Sequence, residues 1–326
     1  MKFGVLQFFS WPGRRGELST VYQRALDRIR TMDANGYDGV WLAEHHFSTY
    51  SVCPSVHVMA MHAADITKNL RIGTAVSLAP FYHPLRLAED IALLDNLTGG
   101  RINWGAGRGF DMREFKAFDI PSEESRERMQ ECVQIVLKSW SEDRLTFVGK
   151  YHQLEDVEVL PKPLQSPLPF WIASSSPEAI DWSASQGYAI LMDPHGSHDQ
   201  IRQKYQQYRT RLKQHGHVNA QDTPMARLIA IGDSANQAEQ IARSGAQWMF
   251  RSYFNADAKA KPDSNKNSAS RFEDYVANTI IHGTSEMVAD KLLELKETIP
   301  LRYLMAAPLS HKSFELLTYE VLPKLA

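Results

Sequence analysis

Eight times along this chain a short apolar run is followed by apolar residues at helical spacing, and that alternation restricts the fold more than any other feature. The first run, residues 3–9, precedes a segment, 19–35, in which Val21, Ala25, Leu26, Ile29 and Met32 mark one helical face. Gly36 stands where a helix should end, and the next run, 39–43, stops at the polar cluster Glu44, His45 and His46. The pattern predicts further strands at 71–76, 102–106, 170–173, 189–192, 227–231 and 301–306. Helices are expected at 56–66, 84–97, 123–140, 177–186, 199–214, 234–244, 285–298 and 312–325. Strands that alternate with helices form a parallel sheet, and eight such units close economically into a (β/α)8 barrel of the TIM type, here a single domain over residues 1–326.

Such a barrel takes about 250 residues, so this chain has room for insertions. Residues 145–160 read as a hairpin turning at Gly149 and Lys150. Residues 161–169, with four prolines, read as a connector. Residues 255–270 are polar and aperiodic, which predicts a long mobile lid loop, with a helix at 272–281 after it. Ser234 and Gln237 have the spacing of a capping box.

Thirty-six basic against thirty-eight acidic residues leave a formal charge of −2, so no excess of cations exists to neutralise a nucleic acid backbone. Cys53 and Cys132 form neither a CxxC pair nor a disulfide framework, which fits a reducing compartment. The N-terminal segment MKFGVLQFF runs directly into Ser10, Trp11, Pro12 and Gly13 and reads as strand and turn. No apolar run approaches the roughly 20 residues that cross a bilayer. A cytoplasmic protein without membrane or nucleic acid partners is expected.

In a barrel of this type chemistry occurs at the C-terminal ends of the strands, and three clusters fall there. Glu44-His45-His46-Phe47 follows the second strand. Neighbouring residues of an extended segment point to opposite sides, so the two histidines suit proton transfer better than metal chelation, although one of them can equally serve as a loop hydrogen bonder. No metal site is expected. Gly105-Ala106-Gly107-Arg108-Gly109-Phe110 follows the fourth strand. Its glycines allow close backbone approach and its arginine offers a fork for phosphate, while the dinucleotide fingerprint would need glycine at Phe110. Ser174-Ser175-Ser176-Pro177 joins a strand to a helix. Read alone it is a strong helix start, and a helix start also presents free N–H groups to an anion.

These clusters, with the segments GYDGVWLAEHHF, IGTAVSLAPFYHPLRLAEDIALLDNLTGGRINWGAGRGF, WIASSSPEA and HGTSEMVADKL, resemble the bacterial luciferase-like flavin monooxygenases along nearly the whole chain. The resemblance implies a barrel enzyme that uses reduced FMN as co-substrate, activates dioxygen on it and transfers one oxygen atom to a small organic molecule such as an aldehyde or ketone. It implies a separate NAD(P)H-dependent flavin reductase as partner. His45 matches the family's active-site histidine, Arg108 the arginine for the FMN phosphate, and Ser174, Ser175 and Ser176 the phosphate loop. Ala75 and Val76 match a pair joined by a cis peptide against the flavin ring, Gly107 lies in the same cofactor-binding stretch, and Trp248 lies near a matching active-site tryptophan. Residues 255–270 match the lid of the luciferase catalytic subunit.

Two departures bear on activity. That subunit has a reactive cysteine where this chain has Gly107 and a glutamate where it has Ser174, so light emission is not implied. The EHHF and GRGF segments nevertheless make the chain similar to the catalytic type. A deazaflavin-dependent oxidoreductase on the same fold and a non-catalytic flavin-binding partner subunit are the alternatives. A metal-dependent barrel hydrolase should carry histidines on its first strand, which residues 3–9 lack. A dimer is also implied, through the helices at 56–66 and 84–97, where Val56, Met59, Ala60, Ala63, Ala88, Ile91 and Ala92 permit close packing.

Overall fold

The computed structural model describes residues 1–218, 222–254 and 266–325. Eight parallel strands carry it: β1 (Lys2–Gln7), β2 (Gly39–Leu42), β3 (Arg71–Thr74), β4 (Ile102–Gly107), β5 (Phe170–Ala173), β6 (Ala189–Leu191), β7 (Pro224–Ile231) and β8 (Tyr303–Pro308). Each strand from β1 to β6 pairs with the next, and β7 pairs with β8. β8 returns to β1, and a parallel bridge between Met192 and Met225 joins β6 to β7, so the sheet curls into the expected TIM-type barrel.

The barrel closes tightly because small residues face large ones inside it. Trp41 of β2 donates its Nε1–H to the Tyr303 hydroxyl at 3.0 Å and meets Trp171 edge-on at 5.2 Å. A Cβ on Gly73 would run into the Trp41 indole, and one on Gly4 would lie 2.8 Å from the Gly39 carbonyl and 3.1 Å from the Tyr303 ring. Glycine at these positions admits the aromatic layer. Above it Leu6, Leu191, Ala226 and Met305 form the floor of a cavity that opens at the C-terminal ends of the strands.

Seven helices cover the outside after strands β1 to β7: α1 (Leu18–Ala34), α2 (Val56–Asp65), α3 (Pro84–Leu97), α4 (Ser125–Ser141), α5 (Pro177–Ser185), α6 (His198–Gln214) and α7 (Ala235–Met249). The faces of α2 and α3 expected to form a dimer pack largely within the chain, with Met59 partly buried. Val56, Ala60, Ala63, Ala88, Ile91 and Ala92 are buried in the core, and Val58, Leu93 and Leu97 are the large apolar residues that these helices expose. Cys53 and Cys132 are free and buried, and burial pushes both thiols up to about 12.

Several expectations are corrected. The lid segment falls mostly outside the described residues, but its last part, 266–270, belongs to a helix, Lys266–Thr279. The end of the helix expected at 272–281 is a strand, Ile280–Gly283, parallel to the second half of β7. β6 has three residues and β7 eight, so the upper edge of β7 has unmatched backbone groups that this segment satisfies. At Ser234 only half of the capping box exists: the hydroxyl accepts from the Gln237 N–H at 3.2 Å, while the Gln237 side chain accepts from Asp233. The complete box is at Ser197 and Gln200, opening α6. A short helix, Met112–Ala117, had no counterpart in the sequence pattern.

His57 of α2 lies behind the cavity wall, buried, with Nε2 3.0 Å from the Ser77 hydroxyl. Burial holds its pKa at about 4, below the ordinary 6.5. As pH falls below 6.5 the unfolded chain takes up a proton that the folded chain refuses until about pH 4, so stability is lost across that window. The slope from this one group is at most about 1.4 kcal/mol per pH unit. Urea unfolding from pH 7 to 4.5 is expected to show a shallower decline in His57→Gln than in the parent, and parallel declines would contradict this account.

Candidate active site

The cavity at the strand ends has a volume of about 290 Å³ and brings together residues far apart in the sequence. His45 follows β2, Ala75 and Val76 follow β3, and Gly107 and Arg108 end β4. Ser174, Ser175 and Ser176 follow β5, and His195 follows β6. The Ala75–Val76 peptide is cis, as the resemblance implies. Gly107 sits directly against this pair: a Cβ there would lie 2.5 Å from Val76 Cγ2 and 3.4 Å from Ala173 Cβ. Trp248 does not join the group. It projects from α7 into a neighbouring cavity.

The adjacent histidines are turned apart by two buried carboxylates. The His45 N–H donates to the Cys53 carbonyl at 3.2 Å, and its ring faces the cavity between Tyr50 and Phe110, with Nδ1 3.5 Å from Glu114 Oε1. His46 packs away from the cavity against Phe81 and Phe118. Its Nε2 lies 2.9 Å from Glu44 Oε1, and its N–H donates to Glu114 at 2.8 Å. Glu44 also accepts from the Tyr82 hydroxyl at 2.9 Å and the Leu78 N–H at 3.2 Å, and burial raises its pKa above the usual carboxylate range. Sequence reasoning found His45 but missed Glu114, which comes from the short helix Met112–Ala117. The available signal was Asp111 three residues earlier, whose side chain caps that helix by accepting from the Arg113 N–H at 2.9 Å.

At the opposite end of the cavity, Ser176 caps α5 by accepting from the Ala179 N–H at 3.2 Å, with Pro177 in the first helical position. Ser174, expected in the phosphate loop, makes its contacts within the protein. Its hydroxyl lies 2.9 Å from that of Ser183 on α5, and its N–H donates to the Leu191 carbonyl, which extends the pairing of β5 with β6. Ser175 is exposed at the rim. Arg108 makes no hydrogen bond or ion pair among the described residues, and burial, followed by the nearby Arg126, lowers its pKa. Arg126, near the start of α4, approaches one carboxylate, Glu178, at 4.0 Å. It was missed because nothing in a polar helix start separates it from its charged neighbours.

The loop after β6 adds groups that no motif announced. Asp193 accepts from the N–H groups of His195 and Gly196, at 2.9 and 3.0 Å. The fully buried Arg227 of β7 donates to the carbonyls of Asp193 and Gly196, at 2.9 and 2.8 Å, which fastens this loop over the barrel. His195 Nδ1 lies 2.7 Å from the Tyr275 hydroxyl, tying in the helix Lys266–Thr279, and burial lowers its pKa to about 4. Among the described residues no three His, Cys, Asp or Glu side chains gather as a metal site.

A TIM-type barrel with a lined cavity at the C-terminal ends of its strands has the architecture of an enzyme. The chain belongs to the luciferase-like monooxygenase family, which residues 1–301 match. It is 29% identical over 259 residues to the alkanal monooxygenase alpha chain of Aliivibrio fischeri, covering 78% of this chain and 72% of that one. To the oxygenase component of the flavin-dependent trigonelline monooxygenase of Acinetobacter baylyi it is 24% identical over 251 residues, with 76% and 69% covered. Among solved structures, a monooxygenase from Streptomyces bottropensis shares the fold with a TM-score of 0.87 at 24% identity over the whole of both chains. An F420-dependent secondary alcohol dehydrogenase shares it with a TM-score of 0.78 at 17% identity, covering 100% and 99%.

The two histidines should differ in what they contribute to stability. His46→Ala removes a donor from the buried Glu44 carboxylate and is expected to destabilise the fold by about 1–3 kcal/mol. His45→Ala, which faces the cavity, should stay within about 0.5–1 kcal/mol of the parent. Urea denaturation of both variants at pH 7.5 decides, and the reverse order would refute the assignment.

Proposed function

We propose that the cavity takes reduced FMN as a co-substrate and that the enzyme transfers one atom of dioxygen to a small organic molecule, an aldehyde, ketone or similar compound. The observation that carries this reading is the pair Arg108 and Arg126, short of carboxylate partners, beside the N-terminus of α5 in the same cavity as His45 and the Ala75–Val76 wall. A phosphate there would meet two guanidinium groups, the backbone N–H groups at Ser175 and Ser176, and the positive end of a nine-residue helix. Val76 lying tight on Gly107 leaves an apolar surface suited to a flat ring system. When bound, reduced FMN supplies the electrons that activate dioxygen.

His45 is the group placed to move a proton at the ring or the substrate, with Glu114 setting the ring's orientation from behind. Leu6, Leu191, Ala226 and Met305 below, and Phe110 at the side, keep water from the reacting centre. The relative named as an oxygenase component supports a separate NAD(P)H-dependent flavin reductase, as does the lack of a dinucleotide fingerprint at Gly105 to Phe110. That curated relatives are named as monooxygenases favours FMN over the deazaflavin named for one fold neighbour. Two unpaired thiols favour a reducing compartment, the cytoplasm, and among the described residues no helix is long and apolar enough to cross a membrane. A two-fold dimer would use the exposed Val58, Leu93 and Leu97; light scattering of Leu97→Glu beside the parent checks this.

Arg108→Ala and Arg126→Ala are each expected to weaken FMN binding about ten- to a hundred-fold, from about 1.5–3 kcal/mol for a charge-assisted contact, and to leave riboflavin binding nearly unchanged. Equal losses for both flavins would place the arginines elsewhere. With photoreduced FMN and labelled dioxygen, His45→Ala should lose about 10²- to 10⁴-fold in product formation while retaining FMN affinity. Full turnover in that variant, with loss confined to His46→Ala, would assign the chemistry to the other histidine.

A further inference from the structure

Behind a wall formed by Leu6 and Phe8, residues that also line the flavin cavity, lies a second cavity of about 710 Å³ bounded by α1, α7 and the ends of β1 and β8. One side is apolar, with Phe8, Val21, Ile241 and Leu309. The other is cationic, with Arg15 from the β1–α1 connection and Arg24 and Arg28 one turn apart on α1. Among the described residues no Asp or Glu lines it, and none of the three arginines forms an ion pair. Arg24 and Arg28 also border an adjoining depression with Asp27 and Glu315, but these carboxylates pair with Arg30 and His311.

Arg28 is the informative member. It is half-buried, its Nε has neither solvent contact nor a hydrogen-bond partner, and its charged neighbour is a second cation, Arg24. The Phe314 ring, 5.5 Å away, offsets only part of that desolvation. Of two further lining groups without partners, Nε1 of Trp248 is a donor suited to an anion, and Oε1 of Gln7, a residue 3% exposed, is an acceptor suited to a polar N–H or O–H group. A cavity with unpaired cations, an unpaired indole N–H, no acid among the described residues and one apolar side is built to accept an anion that carries hydrocarbon.

We propose that this cavity binds an amphipathic organic carboxylate, with the carboxylate held by Arg28 and Arg24 and the apolar part laid along Ile241 and Phe8 toward the flavin cavity. A carboxylate that carries hydrocarbon is favoured over inorganic phosphate because Phe8, Val21, Ile241 and Leu309 make one side of the cavity apolar, although Gln237 in the first turn of α7 and Ser310, which caps the helix His311–Leu316, also line it. Trp248 thereby belongs to this site and not to the flavin wall. As the anchor of the oxygenated substrate the site rests on the function proposed above; as a binding site it stands independently.

The test is calorimetric titration of the full-length, flavin-free protein at pH 7.5 with octanoate, decanoate and 4-phenylbutyrate, each beside its primary amide, and with inorganic phosphate. At least one acid should bind about tenfold or more tighter than its amide. That preference should vanish in Arg28→Met and shrink in Arg24→Gln, an exposed position that decides the matter if Arg28→Met does not fold. Arg28→Met, relieved of an unpaired charge, should melt no lower than the parent. Equal binding of every acid and its amide, survival of the preference in the variants, or displacement of the acid by phosphate would overturn the proposal. Reduced FMN titrated in parallel separates the two readings. Failure of the parent to bind it sinks the flavin assignment alone, and intact FMN binding without acid discrimination sinks the carboxylate site alone.

Discussion

Trp41 lies inside the barrel without exposed surface, edge-on to Trp171 and hydrogen-bonded to Tyr303, with Gly73 leaving room for its indole and Gly4 and Gly39 for the Tyr303 ring. With that layer in place the barrel is solid toward the N-terminal ends of its strands, and a ligand can enter only from the other end. The side chains one layer up, Leu6, Leu191, Ala226 and Met305, become a dry floor beneath the strand ends. Whatever the loops carry is then presented over an apolar surface, where charge interactions are stronger than in water. Filling one end of the barrel is what confines chemistry to the other.

Over that floor, orientation is set by buried acids. His45 and His46 are adjacent, and the backbone alone does not choose which faces the cavity. Glu44, itself buried, takes the His46 ring and two other donors, and Glu114 takes the His46 N–H while standing 3.5 Å from the His45 ring. A buried carboxylate without donors would be unfavourable, so the demand of Glu44 for partners commits His46 to the interior and frees His45 for the cavity. The Asp193 carboxylate and the buried Arg227 guanidinium serve the same purpose for the loop that carries His195.

Overall charge conceals the electrostatics of this protein. A formal charge of −2 spread over 326 residues suggests no anion binding, yet arginines with few or no acidic partners gather at two places. Arg108 and Arg126 do so at one end of the strand-end cavity, and Arg15, Arg24 and Arg28 beside the neighbouring one. Each group stands near a partly desolvated surface, where an unpaired cation attracts an incoming anion far more effectively than it does in bulk solvent.

The sequence by itself determined the eight strands and their helices, because hydrophobic period and helix-ending glycines such as Gly36 are local properties. It also marked His45, Arg108, Gly107 and the α5 start, since each follows a strand at the barrel's functional end, and the structure brings them into one cavity. Where local pattern and long-range pairing competed, tertiary structure decided. Ile280–Gly283 became a strand because β7 had an unpaired edge, the small residues of α2 and α3 went into the core, and the Ser174 hydroxyl turned to Ser183. Arg126 and His195 carry no local signature, Glu114 has only the Asp111 cap before its short helix, and Trp248 lines a different wall from the one its resemblance implied, so their places follow from the folded backbone. A motif is written along the chain, whereas a cavity is made by residues that meet only after the barrel closes.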